Sequence, residues 1–129
     1  LARLAGADHL HVSGLRSKFY ELDDEVAANI AALREPLGNT ILPIPALSSG
    51  QNVHTPGPTF QAVGTTDVMM LAGGGIAAHP DGPGAGVRSL RQAWAAAAAS
   101  RPVAEAADDL DQQGDSALLR ALSCFGATP

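Results

Sequence analysis

One cysteine, no cluster of basic residues and no apolar run of membrane-spanning length are the shortages that bound this chain before any motif is read. Cys124 alone excludes an intrachain disulfide and fits a reducing compartment. Eight Lys and Arg stand against thirteen Asp and Glu, a net charge of −5, and the basic residues are scattered singly. That balance argues against nucleic acid or an anionic membrane as the main partner, so any anion site must be local. Neither a transmembrane span nor a charged-then-apolar leader is seen, and a cytoplasmic location is expected. An initiator methionine is also lacking. The opening Leu1-Ala2-Arg3-Leu4-Ala5 reads as the tail of a helix begun upstream, so the 129 residues are expected to be a fragment of a longer chain.

What is present is a hydrophobic fraction of 46%, ordinary for a globular protein, arranged as alternating strand and helix patterns. Residues 7–12 alternate as a short strand that places His9 and His11 on one face. Leu22, Val26, Ile30 and Leu33 then recur at helical spacing behind an acidic first turn of Asp23, Asp24 and Glu25, and Pro36 and Gly38 end the helix. Residues 41–47 read as a second, buried strand, although Pro43 and Pro45 are awkward in a central ladder. Thr55 can cap a short helix over 58–63, and residues 67–72 form the third strand. Residues 84–99 read as a long helix with Val87, Leu90, Arg91 and Trp94 on one side, followed by a helix-favouring alanine run. Beyond Pro102 two helical pieces are expected. The β-α-β-α-β-α order implies an α/β fold with a parallel sheet or barrel.

The most informative segment runs from Leu71 through Gly73-Gly74-Gly75 to His79-Pro80 and Gly84. Glycines after a strand leave backbone N–H groups without side-chain cover, so an anion such as a phosphate can approach them. In parallel α/β folds such loops lie at the carboxyl ends of the strands, where ligands bind.

Three motifs in order resemble the C-terminal part of the Rubisco large-chain superfamily over roughly residues 1–100. They are Asp8-His9-Leu10-His11 with Lys18 seven residues beyond the second histidine, Ser48-Ser49-Gly50, and Gly73-Gly74-Gly75 followed by His79-Pro80. The resemblance implies the last three βα units of a TIM (β/α)₈ barrel over 1–100 and a C-terminal helical tail over 101–129. It implies that His11 contacts a substrate phosphate and that Lys18, on a closing loop, stabilises a substrate carboxylate. It also implies that Ser48 bonds a substrate oxygen and that the backbones of Gly50, Gly73 and Gly74 hold the other phosphate. Barrels in general bind phosphate at the loops after strands seven and eight, which agrees.

Departures from the carboxylase pattern are equally specific. The first loop reads Ser13-Gly14-Leu15-Arg16-Ser17-Lys18-Phe19-Tyr20, the second motif continues Gln51-Asn52-Val53-His54, and Asp81 stands where carboxylases usually carry tryptophan. The chain therefore resembles the Rubisco-like branch (form IV) more than a true carboxylase, while the retained Lys18 favours carboxyl handling over simple enolisation.

Plainer readings compete for each residue. His9 and His11 have the spacing of a zinc pair but no third ligand nearby, so no metal is assigned to them, and substrate contact is set against core histidines bonded to backbone. Lys18 is by default a solvated loop lysine. Ser48 and Ser49 are otherwise turn serines, which leaves open the one that faces substrate, and the glycines are otherwise a tight turn. His54, His79 and Arg16 are read as packing or surface residues, and the acidic trio as a helix start.

The expected function is a Rubisco-like lyase acting on a phosphorylated sugar-derived ketone or keto acid through a Mg²⁺-stabilised enediolate, by decarboxylation or carboxyl transfer. The metal ligands would lie upstream, and a homodimer or higher homo-oligomer is implied. Ribulose bisphosphate carboxylation, enolisation or isomerisation of a methylthio-sugar phosphate, and a non-catalytic remnant are the alternatives.

Three strands of eight leave sheet edges and an apolar face unpaired, so the isolated 129 residues should be inactive and poorly soluble or partly ordered. Size-exclusion chromatography with thermal unfolding checks this, and a monomer that unfolds cooperatively would contradict it.

Overall fold

Parallel pairing of three short strands organises the computed structural model, which describes residues 1–16 and 21–126. The order along the chain is β1 (His9–Ser13), α1 (Asp23–Arg34), β2 (Ile44–Ser48), α2 (Pro56–Val63), β3 (Met69–Met70), α3 (Gly73–Ala77), α4 (Pro83–Ala98), α5 (Val103–Gln112) and α6 (Ala117–Phe125). In the sheet β2 is central, with His11 opposite Ala46, Ser13 opposite Ser48, and Ala46 opposite Met69. Three βα units on a parallel sheet match the barrel segment that the motifs implied.

Pro45 sits in the central strand without breaking it, and the parity of the ladder explains why. Ile44 N–H donates to Asp8 C=O on the β1 side, at 2.9 Å, so the nitrogen of Pro45 faces β3. Pairing with β3 begins only at Ala46, one residue later, and the missing donor falls where no partner strand exists.

Alternation along the strands separates two faces. Val12, Pro45 and Leu47 face the helices, where Leu47 packs with Leu15, Val26 and Ile30, and Val63 and Val68 close the cluster. His9, His11, Ile44, Ser48 and Met69 take the opposite face, on which Ile44, Met69 and the following Leu71 are exposed. Helix α1 is fastened at both ends. The Glu25 carboxylate accepts from Leu22 N–H, and the Arg3 guanidinium donates to Ala32 C=O and to Glu35 C=O at 2.7 Å.

Several sequence expectations are corrected. The third strand is confined to two residues, and the glycine cluster, expected as a loop, forms the first turn of α3. Thr55 precedes α2, but its hydroxyl donates back to Asn52 C=O at 2.9 Å and caps nothing. With Pro56 and Pro58 in the first turn, α2 has fewer free N–H groups to cap. On α4 the buried face is not Val87, Arg91 and Trp94 but Ala85, Gly86, Ser89, Leu90, Ala93, Ala96 and Ala97. Small side chains let the neighbours approach closely, and a Cβ on Gly86 would overlap the Ile76 carbonyl. Ala93 and Ala96 are thus core, joined by Ala106, Ala107, Leu118 and Ala121 of α5 and α6. Among the described residues no helix is long and apolar enough to cross a membrane.

His79 ties the α3–α4 connection to α6. Buried to 4% exposure, its Nε2–H donates to Ala117 C=O at 2.9 Å while Nδ1 accepts from Asp81 N–H at 3.0 Å, which fixes the tautomer. In the full-length protein His79→Ala should lower unfolding free energy by about 1–3 kcal/mol, the cost of a buried polar group left unpaired. Denaturant unfolding measures it, and an unchanged midpoint would refute the role.

Candidate functional site

The carboxyl ends of the three strands bring their following segments to one side of the sheet. From the middle of β1, His11 Nε2 reaches to 2.6 Å from Ser48 Oγ at the end of β2. Both side chains project from the open face, offering an imidazole and a hydroxyl to an oxygen-bearing ligand. His9 shares that face but sits two residues back, opposite Ile44, about 6–7 Å down the strand at 3.2–3.4 Å per residue. Of the two histidines, His11 is the one that reaches Ser48 at the end of β2.

Immediately after Ser48 the chain reverses through Ser49 and Gly50, both with φ of 69°. For a serine that left-handed conformation is strained, costing of order 1 kcal/mol, and it persists because the surroundings hold it. The turn forms one wall of a cleft of about 460 Å³ whose other wall is Leu71, Gly73, Gly74 and Gly75, with Asn52 and Phe125 at its margins. Ser49, Gly50, Gly73 and Gly74 are therefore gathered around one space, with the His11–Ser48 pair adjoining it through the chain. Leu71 N–H donates to Leu47 C=O at 2.8 Å and anchors the glycine segment to β2.

The glycines do different jobs. In α3 the first i→i−4 bond runs from Ile76 N–H to Ala72 C=O, so the amides of Gly73, Gly74 and Gly75 precede the helical ladder. Cβ atoms on Gly73 or Gly74 would meet nothing, which leaves these two residues open to the cleft. On Gly75 a Cβ would overlap the Gln51 carbonyl oxygen and press on Asn52 Cα at 2.9 Å. Gly75 is the packing glycine and the other two are the accessible ones. Among the described residues no charged side chain lines the cleft, so an anion there would have to be held by backbone amides and neutral dipoles.

Lys18 lies outside the described residues. It is the chain's only lysine, and Arg16 before it is exposed, with its N–H donating to Asp23 Oδ1 at 2.7 Å. Sequence reasoning missed Gln51 and Phe125. Gln51 is polar yet 3% exposed, a burial that no local pattern signals, and Phe125 arrives from the C-terminal helix, far along the chain. A cation is a poor fit, because the described residues that line the cleft include no carboxylate, thiol or imidazole. Among the described residues no group of three His, Cys, Asp or Glu could hold a metal ion.

Comparison with known proteins adds to this geometry. The catalytic domain of the ribulose bisphosphate carboxylase large chain matches residues 1–125. The chain is 42% identical over 109 residues to 3-oxo-isoapionate-4-phosphate decarboxylase of Rhizobium rhizogenes, covering 83% of this chain and 26% of that protein. Against 3-oxo-isoapionate-4-phosphate transcarboxylase/hydrolase of Xanthobacter autotrophicus it is 44% identical over 101 residues, 77% of this chain and 24% of the other. The crystal structure of a Rubisco-like protein from Burkholderia fungorum superposes with a TM-score of 0.84 at 45% identity, over 93% of this chain and 29% of that one. The chain thus spans about a quarter of the length of the curated relatives it matches.

Substitutions should separate the two kinds of glycine. In the full-length protein Gly74→Val should leave folding intact and weaken binding of inorganic phosphate roughly ten- to hundredfold, the scale of one charge-assisted hydrogen bond. Gly75→Ala should instead destabilise the fold by about 1–3 kcal/mol through overpacking. Calorimetry and thermal unfolding read the two effects, and equal phosphate affinity in Gly74→Val would remove the anion assignment.

Proposed function

Since the chain belongs to the ribulose bisphosphate carboxylase large-chain family, we propose that in the full-length protein it serves decarboxylation of a phosphorylated, sugar-derived 3-oxo acid of the 3-oxo-isoapionate 4-phosphate class. The observation that carries this reading is the 42% identity, over 109 residues, with a decarboxylase of that compound. A neutral, amide-lined cleft supports it, since such a cleft suits a phosphate without demanding a cluster of basic side chains.

In this reading the amides of Gly50, Gly73 and Gly74 hold the substrate phosphate. His11 and Ser48, 2.6 Å apart, bind substrate oxygens at the open face, and the hydroxyl can donate to one oxygen while the imidazole serves another. His9 and Ser49 are retained as flanking contacts. Loss of carbon dioxide breaks the carbon–carbon bond to the carboxyl group, its electron pair moves into the neighbouring carbonyl, and a proton then returns to the carbon. Lys18 handles the carboxyl group, so its ammonium matters most in the bond-breaking step. The Mg²⁺ implied by the family finds no ligand set among the described residues, and its ligands are assigned outside this chain. A cytoplasmic homo-oligomer completes the proposal. Carboxyl transfer with hydrolysis is the second reading, favoured by the 44% identity with the transcarboxylase/hydrolase.

The test uses full-length protein with 3-oxo-isoapionate 4-phosphate, following carbon dioxide release and exchange of the α-proton with deuterated water. Lys18→Met should suppress product formation by roughly two orders of magnitude, the scale of losing one preorganised electrostatic contact, and leave exchange running. A parallel fall in both rates, or no change in either, would shift the assignment to an enolase or isomerase reaction.

A further inference from the structure

Gln51 stands where the loop after β1 meets the turn after β2, and it touches both. Its Nε2 donates to Ser49 C=O at 2.7 Å and to Leu15 C=O at 3.2 Å. The amide lies so close over Gly14 that a Cβ there would overlap it. Gly14 N–H in turn donates to Ser48 C=O at 2.7 Å, so the first loop is bound to the second by its own backbone and by the Gln51 side chain. One amide group therefore bonds both the left-handed Ser49 and Leu15, at the start of the segment that leads to Lys18.

The other end of the same side chain is unsatisfied. Gln51 Oε1 is buried and has no hydrogen-bond partner, in a residue only 3% exposed. The amide cannot turn over to relieve this, because the oxygen would then face two carbonyls. A position selected for stability alone would have both ends paired or an apolar side chain, and an orphaned polar atom beside a cleft marks a constraint of another kind.

We propose that Gln51 is a positioning residue that fastens Gly14–Arg16, the start of the β1–α1 loop, to the Ser49–Gly50 turn and so sets the placement of that wall of the cleft. It acts through Leu15 and Ser49 and does not itself touch the reacting atoms. The effect on turnover rests on the decarboxylase reading above, whereas the coupling of the two segments does not.

Three variants of the full-length protein test it: Gln51→Leu, which removes both donors, Gly14→Ala, which pushes the amide off its acceptors from the opposite side, and the double variant. Hydrogen exchange should quicken about tenfold or more at the amides of Gly14, Leu15 and Arg16 in each single variant, the scale of one or two lost hydrogen bonds, and remain at the parent rate in α4. The double variant should add little to either single one, because both break the same contact. Turnover of 3-oxo-isoapionate 4-phosphate should fall at least tenfold in kcat, and affinity for inorganic phosphate, which the Ser49–Gly50 turn helps to hold in that reading, should fall about threefold or more. Exchange that quickens equally in α4 would reveal a general stability role and overturn the proposal, as would additive effects or unchanged loop exchange. Loosened loops with kcat unchanged would overturn it as well. If the parent protein releases no carbon dioxide from this substrate, the decarboxylase reading fails, and the exchange pattern still decides whether Gln51 couples the loops.

Discussion

Convergence of three chain segments on Gln51 is the constraint from which the rest of the site follows. Its carbonyl occupies the space that any side chain on Gly75 would need, and its amide occupies the space over Gly14. With β1, β2 and β3 parallel and in register, the segments leaving their carboxyl ends are forced into the same volume. They fit only because two of them present glycine at the point of crossing. The left-handed Ser49–Gly50 turn is the third accommodation, reversing β2 sharply enough to bring Gln51 beneath its neighbours. A cleft bounded by backbone results, since side chains have been excluded from where the loops meet.

The two faces of the sheet obey different rules. On the helix side, Leu47, Val26 and Ile30 are almost wholly buried, and each contributes the usual burial energy of a large aliphatic side chain, about 1.5–3 kcal/mol. On the other side Ile44 and Met69 remain 41% and 39% exposed, beside His9 and His11. Apolar residues on that side are stabilising only when something covers them, and in a closed barrel the covering layer is supplied by the opposite strands. That is the setting in which a histidine and serine 2.6 Å apart hold a ligand oxygen most firmly.

Much of this arrangement is legible in the sequence, and the parts that are not share a cause. Strands and helices appear as period-2 and helical patterns because each element buries one side, and Val26 and Ile30 are on the side expected. The helix α4 misleads because its large residues, Val87, Arg91 and Trp94, suggest a face that tertiary packing does not use. Its contact surface is made of alanine, serine and glycine, whose importance lies in what they leave out. Gly75 and Gly14 are illegible for the same reason, since a glycine needed for close approach looks like a glycine needed for a turn until the neighbour is known. Gln51 carries no local signal at all. Its burial is decided by Leu15 on another loop, 36 residues away in sequence.

An acidic chain with a net charge of −5 and no basic cluster is badly suited to a phosphorylated ligand, and in the proposed function the cleft resolves the conflict by the choice of donor. Scattered arginines would attract an anion over distances of about a Debye length, roughly 8 Å at physiological salt, and the acidic surface offsets that field. Backbone amides act at contact range, where the geometry of Gly50, Gly73 and Gly74 counts for more than net charge. They also need no side chain to be ordered on binding, so less conformational freedom is lost than with a lysine or arginine clamp. A site of that kind would discriminate by shape, since an anion would have to fit between a serine–glycine turn and a glycine helix start to reach the donors. In the proposed function the one lysine in the chain is then left for a task that amides perform poorly, meeting a charge that appears or disappears as a bond is made or broken.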